Sequence, residues 1–302
     1  MIIIDDGSSD ASAAYLQNLS DSRIRWVRQE NRGLPATLNR AISMASGEYL
    51  ARQDQDDISF PLRLQKQAAF LDAHPDVGMV GTHAVIWEGT KVTDRFHRHP
   101  TDDAEIKFSL LFNNPFVHSS VMIRRSVVDA LGGYSEDKSR QPPEDYELWS
   151  RVARKFKLAN IPEVLLAYRE VPGSMSRTGL NPFLIRLIKI TAENIAWASG
   201  RAVDSPEVIA ISRFSHGVYE GIPRGVSLVN MKAVLNNAAM NIAREAGVAQ
   251  SELEALLQTW QNVLRYRYWE YRTGGLIGKI SKNRIGNYAK NVAKRILKIF
   301  HR

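Results

Sequence analysis

Three carboxylates, Asp54, Asp56 and Asp57, fall within four positions directly after a strand-like run, Gly47-Glu48-Tyr49-Leu50-Ala51. Charges packed this closely repel one another. Two arrangements relieve them: solvent at an Asp-rich turn, or a hard divalent cation with oxygen ligands, commonly one that also holds a diphosphate. A second acidic set, Asp5-Asp6-Gly7-Ser8-Ser9-Asp10, follows the β-branched run Ile2-Ile3-Ile4. Asp and Ser there can cap a helix while Gly makes the turn; a carboxylate fixed at a strand end can also accept the N–H of a nucleobase or the hydroxyls of a ribose. A third pair, Glu144-Asp145, comes after Pro142-Pro143 at the start of a helical pattern. The helix dipole at that end favours an ionised carboxylate, suited either to capping or to taking a proton. His97 and His99 alternate on one strand face and could ligate a metal, but no third ligand stands nearby in sequence.

The elements that must position these groups follow from apolar periodicity. Strand, turn and helix run from residue 2 to about 16, and 24–27 reads as a second strand. A helix is expected over 35–45, with Leu38, Ala41, Ile42 and Ala45 on one face, and a strand over 49–51 ends at the acidic cluster. A helix over 61–71, a buried strand over 77–87, a strand over 121–123, a helix over 126–131 and a helix over 144–156 come next. Strands alternating with helices imply an α/β fold with a mainly parallel sheet, whose ligands sit at the carboxyl ends of the strands. From residue 182 the chain reads as almost wholly helical, with Ser251 and Glu254 spaced as a capping box. The expected divisions are 1–177, 178–272 and 273–302.

Composition narrows the classes. The 302 residues contain no cysteine, which excludes disulfides, thiol nucleophiles and thiolate metal sites, so any metal must use oxygen or imidazole ligands. No run approaches the ~18–20 apolar residues of a membrane span, and the first residues lack the pattern of a secretory signal. A cytoplasmic chain is expected. The net charge of +8 is concentrated at the C-terminal end, where no acid follows Glu270. There Ile277, Ile280, Ile285, Tyr288, Val292, Ile296, Ile299 and Phe300 recur at helical spacings between Lys and Arg residues. Such a basic amphipathic tail can pack on the protein's own helices or rest peripherally on an anionic membrane at the cytoplasmic face. With little aromatic interleaving and no recognisable module, nucleic acid is not an expected partner.

The order of motifs carries a resemblance. Ile4-Asp5-Asp6-Gly7-Ser8-Ser9-Asp10, then Glu30-Asn31-Arg32-Gly33-Leu34 with Asn39, then Gly47-Glu48-Tyr49 and Asp54-Gln55-Asp56-Asp57 resemble the family 2 glycosyltransferases. Asn114-Pro115-Phe116-Val117-His118-Ser119-Ser120-Val121-Met122, Gly132-Gly133-Tyr134 and Pro143-Glu144-Asp145-Tyr146-Glu147-Leu148-Trp149 look like that family's acceptor-side segments. The resemblance covers about residues 1–177. It implies a glycosyltransferase A-type fold and an inverting transfer from a nucleotide-diphosphate sugar, most simply a UDP-sugar, to a glycan or lipid-linked acceptor in cell-surface polysaccharide synthesis. Carried over by position, Asp5 and Asp6 lie on the donor side with Asp6 at the nucleobase, and Asp54 lies at the ribose or in the metal shell. Asp56 meets a Mn²⁺ or Mg²⁺ ion that bridges the diphosphate, and Asp145 is the catalytic base. His118, Glu144 and Trp149 fall on the acceptor side.

One departure stands out. The family usually begins with a strand of the Val-Ser-Val-Ile-Ile-Pro type, a Tyr-Asn turn and a helix before the strand ending in Asp-Asp-Gly-Ser, and here Met1 stands inside that second strand. The chain is therefore expected to lack an interior strand and one wall of the nucleotide cleft, exposing sheet edges and weakening turnover. A truncated relative serving as a binding or assembly module is the alternative reading. A nucleotidyltransferase or phosphohydrolase using the same carboxylates is a third, against which the motif order argues.

Overall fold

The computed structural model describes residues 1–170 and 180–274. β1 (Ile2–Asp5) and β2 (Arg25–Arg28) pair in parallel, Ile3 opposite Trp26 and Asp5 opposite Arg28, with α1 (Ser12–Gln17) between them in sequence. α2 (Leu34–Met44) follows, with Pro35 in its first turn, where the missing N–H costs nothing.

A larger sheet is built on β5 (Val77–Glu88), buried along most of its length, and on β8 (Lys157–Glu170), which runs parallel to it. Along the other edge of β5 lie β7 (Met122–Arg124) and β6 (Lys91–His97), both antiparallel to it. β3 (Tyr49–Ala51) extends the sheet beyond β7, and β4 (Ile58–Ser59) extends it beyond β8. The α/β layering agrees with the sequence reading, and the pairing is mixed: parallel at β1–β2 and β5–β8, antiparallel elsewhere. No ladder joins β1 and β2 to the six-stranded sheet, so among the described residues β1 is paired on one edge only.

α3 (Arg63–Ala73), α5 (Arg125–Leu131) and α6 (Glu144–Ala153) flank the larger sheet, and α5 stops at Gly132, whose left-handed φ of 82° suits glycine. One core lies here, with Met79, Ile106, Leu110, Tyr146, Leu148 and Trp149 among its buried members. The rest of the described chain is α7 (Leu180–Ser199), α8 (Pro206–Ser215), α9 (Leu228–Ala246) and α10 (Glu254–Arg272), around a second core that includes Phe112, Phe214, Leu235 and Trp260. α4 (Asp103–Ser109) belongs to both: Ile106 points into the first core, and Ala104 and Phe108 into the second.

Two elements depart from the sequence reading. β8 is a 14-residue strand through Pro162, which lacks the N–H a ladder needs; the register shifts between Thr82 opposite Ile161 and His83 opposite Val164 absorb it. The expected Ser251/Glu254 capping box does not form. α10 starts at Glu254 without a side-chain cap, and Glu252 instead accepts from the Ala249 N–H at 3.3 Å. Among the described residues no helix is long and apolar enough to cross a membrane. The expected basic tail lies, apart from residues 273–274, outside the described residues.

Candidate active site

The acidic loop is fixed from three directions. Its first residue leaves β3 with the Arg52 N–H donating to the Val121 carbonyl at 2.9 Å. Arg63, 2% exposed, then ties the loop to the turn at His118–Ser120, donating to the carbonyls of Arg52 (3.0 Å) and Ser119 (2.7 Å). Ser119 Oγ accepts from the Asp54 N–H at 3.0 Å and donates to Asp54 Oδ2 at 2.7 Å. Asp54 Oδ1 pairs with the Arg52 guanidinium, so both oxygens are engaged. Asp57 accepts from the Arg169 N–H of β8 at 2.8 Å, and burial pushes its carboxyl up to about 6. It is an anchor of the loop. Asp56, half-buried, makes no side-chain hydrogen bond or ion pair with the described residues.

Asp145 enters at the first turn of α6. Its Oδ1 accepts from the Tyr146 N–H at 2.7 Å and its Oδ2 from Asn114 Nδ2 at 2.8 Å. Asn114 is itself set by its Oδ1, which accepts from the Phe116 N–H at 3.1 Å. Burial pushes the Asp145 carboxyl up to about 7, and the charges of Glu144 and Asp54 add to the rise. Glu144, 8% exposed, is also raised by burial, with Asp54 again contributing. The third sequence motif thus lies within electrostatic reach of the first. α6 is held in turn by α7: Asn194 Nδ2 donates to Ser150 Oγ and to the Leu110 carbonyl, each at 2.8 Å, while Arg140, on the loop before α6, pairs with Glu193 at 2.7 Å.

His118 lies between these groups. Burial, with the Arg52 charge, pushes its imidazole down to about 3, so it is neutral, and its Nε2 pairs with the Tyr134 hydroxyl at 2.8 Å. Trp149 backs the pair: it is 1% exposed, and its ring lies edge-on to His118 and Tyr134 with centroids 5.9 and 6.2 Å away. Tyr134 exchanges two backbone hydrogen bonds with the Asn39 amide of α2, both 2.9 Å. A Cβ on Gly133, whose φ is +71°, would come within 2.6 Å of Asn39 Oδ1, so glycine permits that approach.

The second acidic set, Asp5 and Asp6, serves its own loops. Asp5, 4% exposed, accepts from the Ser8 N–H at 2.8 Å and lies 3.4 Å from Arg28 Nε; the Ser8 side chain first, then that N–H and the Arg28 charge, hold its carboxyl below the usual range. Asp6 accepts from Gln29 Nε2 (2.6 Å) and from the N–H groups of Arg32 (2.9 Å) and Gly33 (3.0 Å), latching the loop that opens α2. Burial opposes its ionisation, but these bonds outweigh it and the carboxyl sits below its ordinary value. Among the described residues no hydrogen bond or ion pair joins Asp5 or Asp6 to residues 52–57.

Among the described residues no group of three or more His, Cys, Asp or Glu side chains is arranged to hold a metal ion. Asp54 and Asp56 nonetheless offer hard oxygen donors two residues apart, and a small divalent cation is commonly held by one or two carboxylates with substrate phosphates completing the shell. The donor set fits such an ion, provided that Arg52 gives up Asp54 Oδ1.

Residues 52, 114, 119 and 134 acquire roles here that their sequence motifs did not announce. For Asn114 the consequence is measurable. Asn114→Leu removes a donor that favours ionised Asp145, so that carboxyl, now at about 7, is expected to titrate about one pH unit higher. Carboxyl-carbon NMR across the pH range reads this directly, and an unmoved titration would mean the bond does nothing for the charged form.

The mixed sheet with flanking helices makes this an α/β protein, and the carboxylates of the 52–57 loop and of α6 lie within electrostatic reach of one another on it. The model for "Glycosyl transferase family 2" matches residues 1–132. WbnJ of Escherichia coli, an O-antigen biosynthesis glycosyltransferase, is 30% identical over 185 residues, 60% of this chain and 71% of WbnJ. The chain belongs to glycosyltransferase family 2. The amylovoran biosynthesis glycosyltransferase AmsE of Erwinia amylovora is 33% identical over 142 residues, 47% of this chain and 52% of AmsE. EpsE of Bacillus subtilis is 34% identical over 185 residues, 59% of this chain and 64% of EpsE. The chain thus spans about half to two thirds of the length of these last two relatives. The crystal structure of S. aureus TarS 1–349 in complex with UDP-GlcNAc superposes with a TM-score of 0.55 at 17% identity, covering 90% of this chain and 82% of that one, a likeness of fold.

Proposed function

We propose that this chain moves a sugar from a nucleotide-diphosphate donor to a hydroxyl of a glycan or lipid-linked acceptor, with inversion, during cell-surface polysaccharide synthesis. The observation that supports this most is the Asp145 carboxyl: half-buried, oriented by Asn114, close enough to feel Asp54, and titrating at about 7. A general base works best when its pKa lies near the working pH. The names of WbnJ and AmsE point to polysaccharide assembly.

In this reading the acceptor O–H gives its proton to Asp145 as its oxygen attacks the anomeric carbon, and the bond from that carbon to the diphosphate oxygen breaks, releasing a nucleoside diphosphate. Asp5, Asp6 and Asp54 stand on the donor side. On the acceptor side Glu144 lies beside the base, while neutral His118 and the Tyr134 hydroxyl, backed by Trp149, offer sugar hydroxyls hydrogen bonds without charge. Asp56, with Asp54, would hold Mn²⁺ or Mg²⁺, which when bound supplies positive charge to the diphosphate oxygens.

Calorimetric titration of UDP and of GDP, with and without Mn²⁺, tests the donor side. Binding that requires Mn²⁺ and weakens at least about tenfold in Asp56→Asn is the expected result; equal binding by the variant would remove Asp56 from the site. The separation of β1 and β2 from the larger sheet favours a second reading, a chain that binds the nucleotide but transfers poorly. Full Mn²⁺-dependent binding with no release of UDP or GDP from any donor would select it.

A further inference from the structure

Arg52 stands in the middle of the acidic groups. Its side chain is 14% exposed, its guanidinium pairs with Asp54 Oδ1 and donates to the Gln53 carbonyl, and its buried Nε has no acceptor among the described residues. Its charge acts on His118, Tyr134 and Glu144. The second oxygen of Asp54 is held by Ser119, so with Arg52 in place Asp54 has little charge left to offer, while Asp56 stays open.

We propose that Arg52 is a tethered counter-ion that competes with the divalent cation for Asp54 and thereby couples cation binding to donor binding. This rests on the metal-dependent reading above. A guanidinium and a divalent cation cannot share Asp54 Oδ1, because their charges repel at that separation. A diphosphate changes the balance: its oxygens accept the guanidinium fork as well as a carboxylate does, so Arg52 can leave Asp54 without losing an anionic partner. The cation then binds weakly to the free protein and more tightly once a nucleoside diphosphate is present. The reverse holds by linkage. The device keeps the acidic loop neutralised until donor and cation arrive together.

The test is Mn²⁺ affinity, read by electron paramagnetic resonance of the free ion, with and without UDP. Arg52→Met is expected to bind Mn²⁺ alone about tenfold more tightly than wild type, and to show a smaller enhancement by UDP. Unchanged or weaker Mn²⁺ binding in Arg52→Met overturns the proposal. Should that variant not fold, the wild-type protein still decides: the Arg52 side-chain Nε–H signal must move as Mg²⁺ saturates the protein, and a stationary signal overturns it equally. Asp56→Asn separates the two levels of inference. If it binds Mn²⁺ like wild type, the metal-dependent reading itself fails; if it loses Mn²⁺ while Arg52→Met changes nothing, only the counter-ion role fails.

Discussion

Asp145→Asn is expected to reduce sugar transfer by about 10²–10⁴-fold, the range for removing a general base, while nucleoside diphosphate binding stays as in the wild type. The amide keeps the shape of the carboxyl, and its one oxygen can accept from Asn114 or from the Tyr146 N–H, so the proton acceptor is lost together with one of the two orienting hydrogen bonds. In the wild type the rate should climb as pH passes about 7, where Asp145 gives up its proton, and the variant should lack that rise. Stability supplies the control. The folded carboxyl titrates near 7 against an ordinary value of 3.8, so its contribution to stability is full below the unfolded value and is lost as pH rises toward 7. Asparagine carries no such penalty, which offsets the one donor it leaves unpaired, and the variant should be about as stable as wild type at pH 8. A variant that transfers sugar normally ends the case for Asp145 as the base.

Trp149→Ala should produce the largest loss of stability, about 3–5 kcal/mol, the cost of emptying an aromatic site in a packed core. The ring is 1% exposed and touches three aromatic partners at once, Phe116 at 6.3 Å between centroids, His118 and Tyr134. Removing it takes the support from the His118–Tyr134 pair, so acceptor use should suffer before donor binding does. Trp149→Phe fills most of the volume and should recover most of the stability. Urea unfolding of the three proteins measures the difference, and a loss under about 1 kcal/mol in Trp149→Ala would show that the surrounding core closes over the gap.

Much of the fold could be read from residue order, for local reasons. β3 and the acidic loop follow from an apolar run meeting three Asp residues, and α6 from the periodicity through Leu148, Trp149 and Val152. α4 escaped because its apolar residues divide between two cores, leaving Ile106 on one side and Ala104 and Phe108 on the other, with no single buried stripe to detect. β8 escaped because Pro162 reads as a strand breaker unless the register shift beside it is known. The site shows the same division. Glu144-Asp145 and the 52–57 cluster stand out by composition, whereas the hydrogen bond from Asn114 to Asp145 spans 31 positions and the pairing of Arg52 with Asp54 depends on side-chain direction. Asp5 and Asp6 carried the same sequence signal as the others, and their carboxylates hold their own turns.

The clamp of α7 on α6 has a mechanical meaning. Asn194 and Glu193 grip Ser150, Leu110 and Arg140 from outside the sheet, so the carboxylate proposed to take the proton rides on a beam whose far support is the helical layer. A strain applied to that layer, by substitution or by a docked molecule, would be transmitted along the beam to that carboxylate. The helices beyond the sheet therefore bear on how stiffly the proposed base is aimed, although none of their side chains enters the proposed transfer.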